Sequence, residues 1–188
     1  MSLSWRCPEC GLDYDTISPR DAALAVRTFP RRYRYILTHF GPDEDVDDVI
    51  RRRPAPGAWS ALEHAAYAAD VLDLLGPALR RISTDANPAI TLFDPHRRAQ
   101  EEAYNQQGLL DVLSRLDTAC ADLSMTLEYM DPADWSRTGV VEGNQREAID
   151  VARHAVHEGV HHLREIERVL RQVRSTPPPE DEDERGDW

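Results

Sequence analysis

The sequence predicts an all-α fold: a four-helix bundle preceded by a short Cys-x-x-Cys knuckle and followed by a disordered acidic tail. Three observations lead there. Four long segments repeat apolar residues at the i, i+3, i+4 spacing of an amphipathic helix. No segment alternates convincingly as a half-buried strand would. The 188 residues are enough for one domain with a hydrophobic core.

Residues 1–18 contain the knuckle, Cys7-Pro-Glu-Cys10-Gly11, and a loop. Ser18-Pro19-Arg20-Asp21 reads as a helix start, with a serine cap, proline at the first helical position and an acid in the first turn. The first helix is expected over 19–39, with Ala22, Leu24, Val26, Phe29, Tyr33, Ile36 and Leu37 on its apolar face. Residues 41–58 read as a polar loop with a short helical turn at Val46–Ile50. A second helix opens at Trp59-Ser60-Ala-Leu-Glu63, where Ser60 and Glu63 form a capping box. Asn-Pro and Asp-Pro pairs mark 84–104 as irregular. The third helix is expected over 105–130, ended by Asp131-Pro132, and Trp135 to Gly143 is a loop able to pair as a short hairpin. The fourth covers 145–173, which places the bundle at 19–173 and the tail at 174–188.

The formal net charge is −12, unevenly spread, because the last nine residues hold six acids against one arginine. An acidic body repels a phosphate backbone, so nucleic acid is not expected as a partner. No apolar run approaches the roughly 20 residues of a membrane span, and the first residues lack the apolar stretch of a signal peptide. A cytoplasmic protein is expected, with no membrane partner. The basic residues are all arginine, which carries no functional reading. Three cysteines do not make a disulfide framework. Cys7 and Cys10 instead suit half of a zinc site, and Cys120, in an apolar helical stretch, reads as a small core residue.

The chemistry concentrates on the last helix. Four of the seven histidines fall within His154-Ala-Val-His157-Glu158-Gly-Val-His161-His162. Side chains four apart are stacked neighbours, so His157 with His161, and Glu158 with His162, can each grip one divalent metal. A polar surface face is the bland alternative, and four histidines in nine residues weaken it. At about 100° per residue, Ile149, Ala152, Val156, Leu163, Ile166 and Leu170 define an apolar arc. His162 falls on its flank and Glu158 at its margin, whereas His157 and His161 point nearly opposite. The inward pair suits a site inside the bundle. The outward pair, joined by Cys7 and Cys10, would complete a four-ligand zinc clamp. Neither pair excludes the other.

Trp59-Ser-Ala-Leu-Glu63, together with His157-Glu-Gly-Val-His-His162, resembles the DinB-like superfamily over about 19–172. The Cys-Pro-Glu-Cys-Gly leader resembles that of an actinobacterial subgroup. The resemblance implies a four-helix bundle with zinc or nickel held by three histidines, one from the second helix and two from the last. It also implies transfer, isomerisation or hydrolysis, in several members with a low-molecular-weight thiol such as mycothiol. A metal-bound thiol loses its proton near neutral pH and becomes a nucleophile. The sequence departs from the family at Tyr67, where the second-helix ligand is expected four residues after the motif glutamate. His64 lies one turn earlier, roughly 60° away around the helix. The site is therefore either rebuilt from His64, Glu158 and His162 or lost. In the latter case zinc would be structural and the bundle a binding or dimerisation module, with a homodimer as one outcome.

Overall fold

Ser18 and Ser60 each close a reciprocal cap. The Ser18 hydroxyl accepts from the Asp21 amide at 3.2 Å while the Asp21 carboxylate accepts from the Ser18 amide at 3.1 Å. Ser60 and Glu63 repeat the arrangement at 3.2 and 2.8 Å. Each box satisfies donors that a helix start would otherwise leave orphaned. From these starts run α1 (Pro19–Thr38) and α3 (Ala61–Thr84). The computed structural model describes residues 6–175. The predicted acidic tail from 176 onward and the first five residues lie outside them.

Six helices are present among the described residues, four of them long. α2 (Val46–Arg51) is the short turn expected in the 41–58 loop, and α5 (Leu109–Tyr129) and α6 (Ala148–Ser175) complete the bundle. α5 starts four residues later than expected, because Gly108 is its cap and Tyr104–Gln106 forms a separate 3-10 turn. α3 packs along α5 and α6, and α1 packs along the same two, so α1 and α3 face each other across the core. Phe29, Tyr33, Leu62, Leu72, Leu79, Leu113 and Leu116 are wholly buried in that core. Cys120 joins them as expected, and burial pushes its thiol up to about 12. No helix among the described residues is long and apolar enough to cross a membrane.

Two departures position the site. The segment expected to be irregular holds β1 (Ala89–Ile90) and α4 (Pro95–Glu101). The 135–143 loop yields β2 (Thr138–Val141), which pairs parallel to β1 and antiparallel to β3 (Asn144–Glu147). Glu142 and Gly143 turn the hairpin with φ of 47° and 75°, the left-handed pair a tight two-residue hairpin needs. β3 runs straight into α6 and so fixes where the last helix begins. The β2–β3 hairpin falls at the expected place, whereas β1 and β3 carry no strand signal because β1 is two residues long and β3, Asn-Gln-Arg-Glu, is polar and exposed throughout.

A buried carboxylate locks α4 down. Asp70 accepts from the Tyr104 hydroxyl at 2.8 Å, Arg98 Nε at 2.9 Å and Arg115 Nη1 at 2.7 Å. Arg98 pairs with Glu102 along α4 and also turns inward to Asp70. Asp70→Ala leaves a buried phenol and two partly exposed guanidinium groups without their acceptor. A loss of about 2–3 kcal/mol is expected in urea unfolding. An unchanged midpoint would remove Asp70 from any structural role.

Candidate metal centre

The leader lies along α6. Its knuckle is closed by the Gly11 amide donating to the Cys7 carbonyl at 2.8 Å and the Cys7 amide to the Leu12 carbonyl at 2.9 Å. Gly11, at φ +68°, takes the left-handed turn that brings the chain back. Arg164 reaches the Cys10 carbonyl, and Arg153 Nε donates to the Ile17 carbonyl at 3.1 Å. Two arginines on α6 thus hold both ends of the leader, with the knuckle directly over the middle of the helix.

Beneath it sit His157 and His161, the pair that helical phase turns away from the bundle. One donor atom each from Cys7, Cys10, His157 and His161 can be chosen so that all lie within 4.8 Å of one another. Cys7 Sγ is 3.9 Å from His161 Nδ1 across 154 residues of sequence. Both cysteines are buried and unbridged by a disulfide. An ion bonded at roughly 2.0–2.3 Å separates tetrahedral donors by roughly 3.3–3.8 Å, so small side-chain rotations bring this set into range. Two thiolates and two imidazoles are the donor chemistry zinc prefers.

The local electrostatics suit a cation. Burial pushes the Cys7 thiol up, but the Cys10 amide, His157 and the Glu9 amide outweigh it and bring the thiol down to about 7. Cys10 moves the other way, raised by burial and by the neighbouring Cys7 sulfur. Burial disfavours a charged His157, yet the Glu158 carboxylate and Cys7 raise it overall. Burial also opposes ionisation of Glu158, but its bonds to His157 and His162 hold the carboxyl far below the usual range.

Glu158 is the hinge of the arrangement. Oε1 lies 3.1 Å from His157 Nδ1, and Oε2 lies 3.4 Å from His162 Nε2. One carboxylate therefore touches an imidazole on each side of the helix. A proton on His157 Nδ1 shared with Glu158 makes Nε2 the lone-pair nitrogen of that ring.

On the bundle side, His162 Nδ1 meets His64 Nδ1 at 3.0 Å. The 60° offset of His64 does not keep it from His162. Burial and the neighbouring His162 lower His64 to about 2, so its imidazole is neutral. His64 and Glu158 address opposite nitrogens of the His162 ring, so the three do not converge on one point as the other set does. The ring of Tyr67, at the departed family position, stands edge-on to His162 at 4.8 Å. These side chains line a cleft of about 520 Å³ with Trp59, His96 and Arg168. His96 comes from α4, and Tyr14, whose hydroxyl lies 3.2 Å from His154 Nδ1, comes from the leader. Neither carries a motif, and only the tertiary fold brings them in.

Solved structures share the fold that carries these side chains. YfiT from Bacillus subtilis, described as "a probable metal-dependent hydrolase with an unusual four-helix bundle topology", is 13% identical with a TM-score of 0.75, over 92% of this chain and 95% of that one. A mycothiol-dependent maleylpyruvate isomerase is 13% identical with a TM-score of 0.56, over 78% of this chain and 59% of that one. At such identities the likeness shows the fold. No curated protein matches the chain in sequence. The sequence profile of the DinB superfamily matches residues 31–166, well over half the chain, and the chain belongs to that superfamily.

Proposed function

We propose that this is a zinc-binding member of the DinB superfamily in which Cys7, Cys10, His157 and His161 hold one ion that clamps the leader to α6. The observation that carries the reading is the convergence of four nitrogen and sulfur donors from opposite ends of the chain. A four-ligand set leaves no open position, so the role of this ion is structural. The actinobacterial subgroup suggested by the Cys-Pro-Glu-Cys-Gly leader, and a cytoplasmic location, belong to the same reading.

A second reading is favoured by one observation. The His64–His162 contact, backed by Glu158, faces an open cleft rather than packed core. That geometry suits a metal-dependent transferase or hydrolase using a small thiol such as mycothiol, the thiol on which the structurally similar isomerase is described as dependent. Nickel or zinc at such a site would supply Lewis acidity. In its absence the bundle serves as a binding or dimerisation module.

Metal analysis with cobalt substitution separates these readings. One zinc per chain is expected, and cobalt in its place should give an intense thiolate-to-metal band. Cys7→Ser with Cys10→Ser should abolish both, and His162→Ala should leave both. Metal that survives the cysteine changes and disappears with His162→Ala moves the ion to the cleft. A chain that takes up no metal sinks both sites.

A further inference from the structure

A cavity larger than the histidine cleft is lined in part by the leader. On the other flank of α6 lies a chamber of about 780 Å³, between the first turns of that helix, the small sheet, α3 and the leader. Leu75, Ile90, Leu92, Val141 and Val151 give it an apolar wall contributed by four separate elements. Its size falls within the roughly 300–1,000 Å³ usual for small-molecule sites. The Tyr14 hydroxyl and His154 Nδ1 form a hydrogen-bonding pair on its lining.

The charges around it select the class of ligand. Asp150 lies 3.6 Å from Arg153, and Glu142 accepts from the Leu92 amide at 2.6 Å. Arg153 is further engaged by the Ile17 carbonyl. What remains is Arg146 against the exposed Asp15, so the lining has no cationic excess to hold an anion. Tyr14 and Asp15 follow Gly11, the end of the knuckle, by three and four residues, and the Tyr14 ring meets His157 edge-on at 5.6 Å.

We propose that this chamber binds a neutral, mostly apolar small molecule carrying one hydrogen-bonding group, which the Tyr14–His154 pair receives. The leader supplies one wall, so binding there is linked to whatever holds the leader down. That linkage alone rests on the zinc-clamp reading; the chamber does not.

The test uses fluorescence titration of the full zinc-loaded chain with N-phenyl-1-naphthylamine, a neutral apolar probe with one N–H. Its sulfonated counterpart, 8-anilino-1-naphthalenesulfonate, changes only the charge. Saturable one-site binding of the neutral probe is expected, at least tenfold tighter than that of the sulfonate. Val151→Trp, or Leu92→Trp from the opposite wall should the first variant misfold, is expected to weaken it at least tenfold. His96→Trp, which fills the cleft on the other flank, should leave it unchanged. Equal affinity for the two probes overturns the neutral class, and wild-type binding by a folded tryptophan variant overturns the chamber. Stripping the metal should weaken the probe severalfold, and the probe should tighten zinc by the same factor. If stripping changes nothing while the tryptophan variants abolish binding, the chamber stands and the clamp reading falls.

Discussion

Changing Cys7 and Cys10 together to serine is expected to lower the melting temperature by about 10 °C in zinc-containing buffer and by little in chelator. An ion that binds only the folded chain, present at about a thousand times its dissociation constant, contributes about 4 kcal/mol. For a chain of this size each kcal/mol shifts the midpoint by about 2–4 °C. The bundle itself should survive, because its core is built mainly from α1, α3, α5 and α6, to which the leader adds only Ile17 and the partly buried Leu12. Calorimetry with and without chelator reads the difference directly, and identical curves for wild type and variant in zinc would end the clamp proposal.

The same ion should show a definite pH dependence. The Cys7 thiol sits at about 7 in the folded chain against an ordinary 9.0. A depressed acid contributes stability that is fully present above the unfolded value and lost as pH falls through the folded one. The contribution of Cys7 to the metal-free protein should therefore fade as pH falls from about 9 to below about 7, offset in part by protonation of His157, which Glu158 and Cys7 hold above its ordinary value. Zinc must displace the remaining thiol protons, so its contribution to the midpoint should shrink between pH 8 and pH 6. A zinc-dependent shift that grows toward pH 6 would contradict thiolate ligation.

Gly159→Ala is expected to destabilise the fold by about 3 kcal/mol despite inserting a better helix former. The ideal Cβ would stand 2.1 Å from one Phe29 ring carbon, with two more ring carbons within 2.7 Å. Phe29 is wholly buried, and beside it the Tyr33 hydroxyl donates to the Gly159 carbonyl at 2.9 Å. Neither helix can yield without breaking that bond, so overpacking outweighs the roughly 1 kcal/mol gained in helix propensity. Displacement of α6 should also weaken metal uptake, because Gly159 lies between His157 and His161. Phe29→Leu in the same chain makes room and should recover much of the loss in a double-mutant cycle. A stable Gly159→Ala single variant would mean that α1 and α6 are not pressed together at this point.

What the sequence made legible follows from local rules. Ser18 and Ser60 announce their helices because a cap is read from neighbours in the chain. Helical phase separates Glu158 and His162 from His157 and His161 because α6 is long and regular. The contacts that it left open are those that depend on how helices cross. His64 faces the wrong way on an isolated helix, yet it meets His162 where α3 packs along α6. α4 and β3 lack strong periodic signals, the first being seven residues long and the second uniformly polar. They are held by Asp70 and by pairing with β2, neither of which leaves a mark in the local sequence. Tyr14 carries no motif, and its place against His154 depends on the leader folding back.

The 154-residue separation between Cys7 and His161 has a consequence for assembly. Joined through an ion, the two ends make the chain a closed loop, and closure of that length removes about 5 kcal/mol of freedom from the unfolded ensemble in the chain-entropy picture. The knot can be tied only after α6 exists, so in synthesis Cys7 and Cys10 emerge about 150 residues ahead of His157 and His161. On the zinc-clamp proposal metal capture follows the formation of α6, and a newly made, ion-starved population should be recognisable by thiols that react quickly and become protected only when zinc is added.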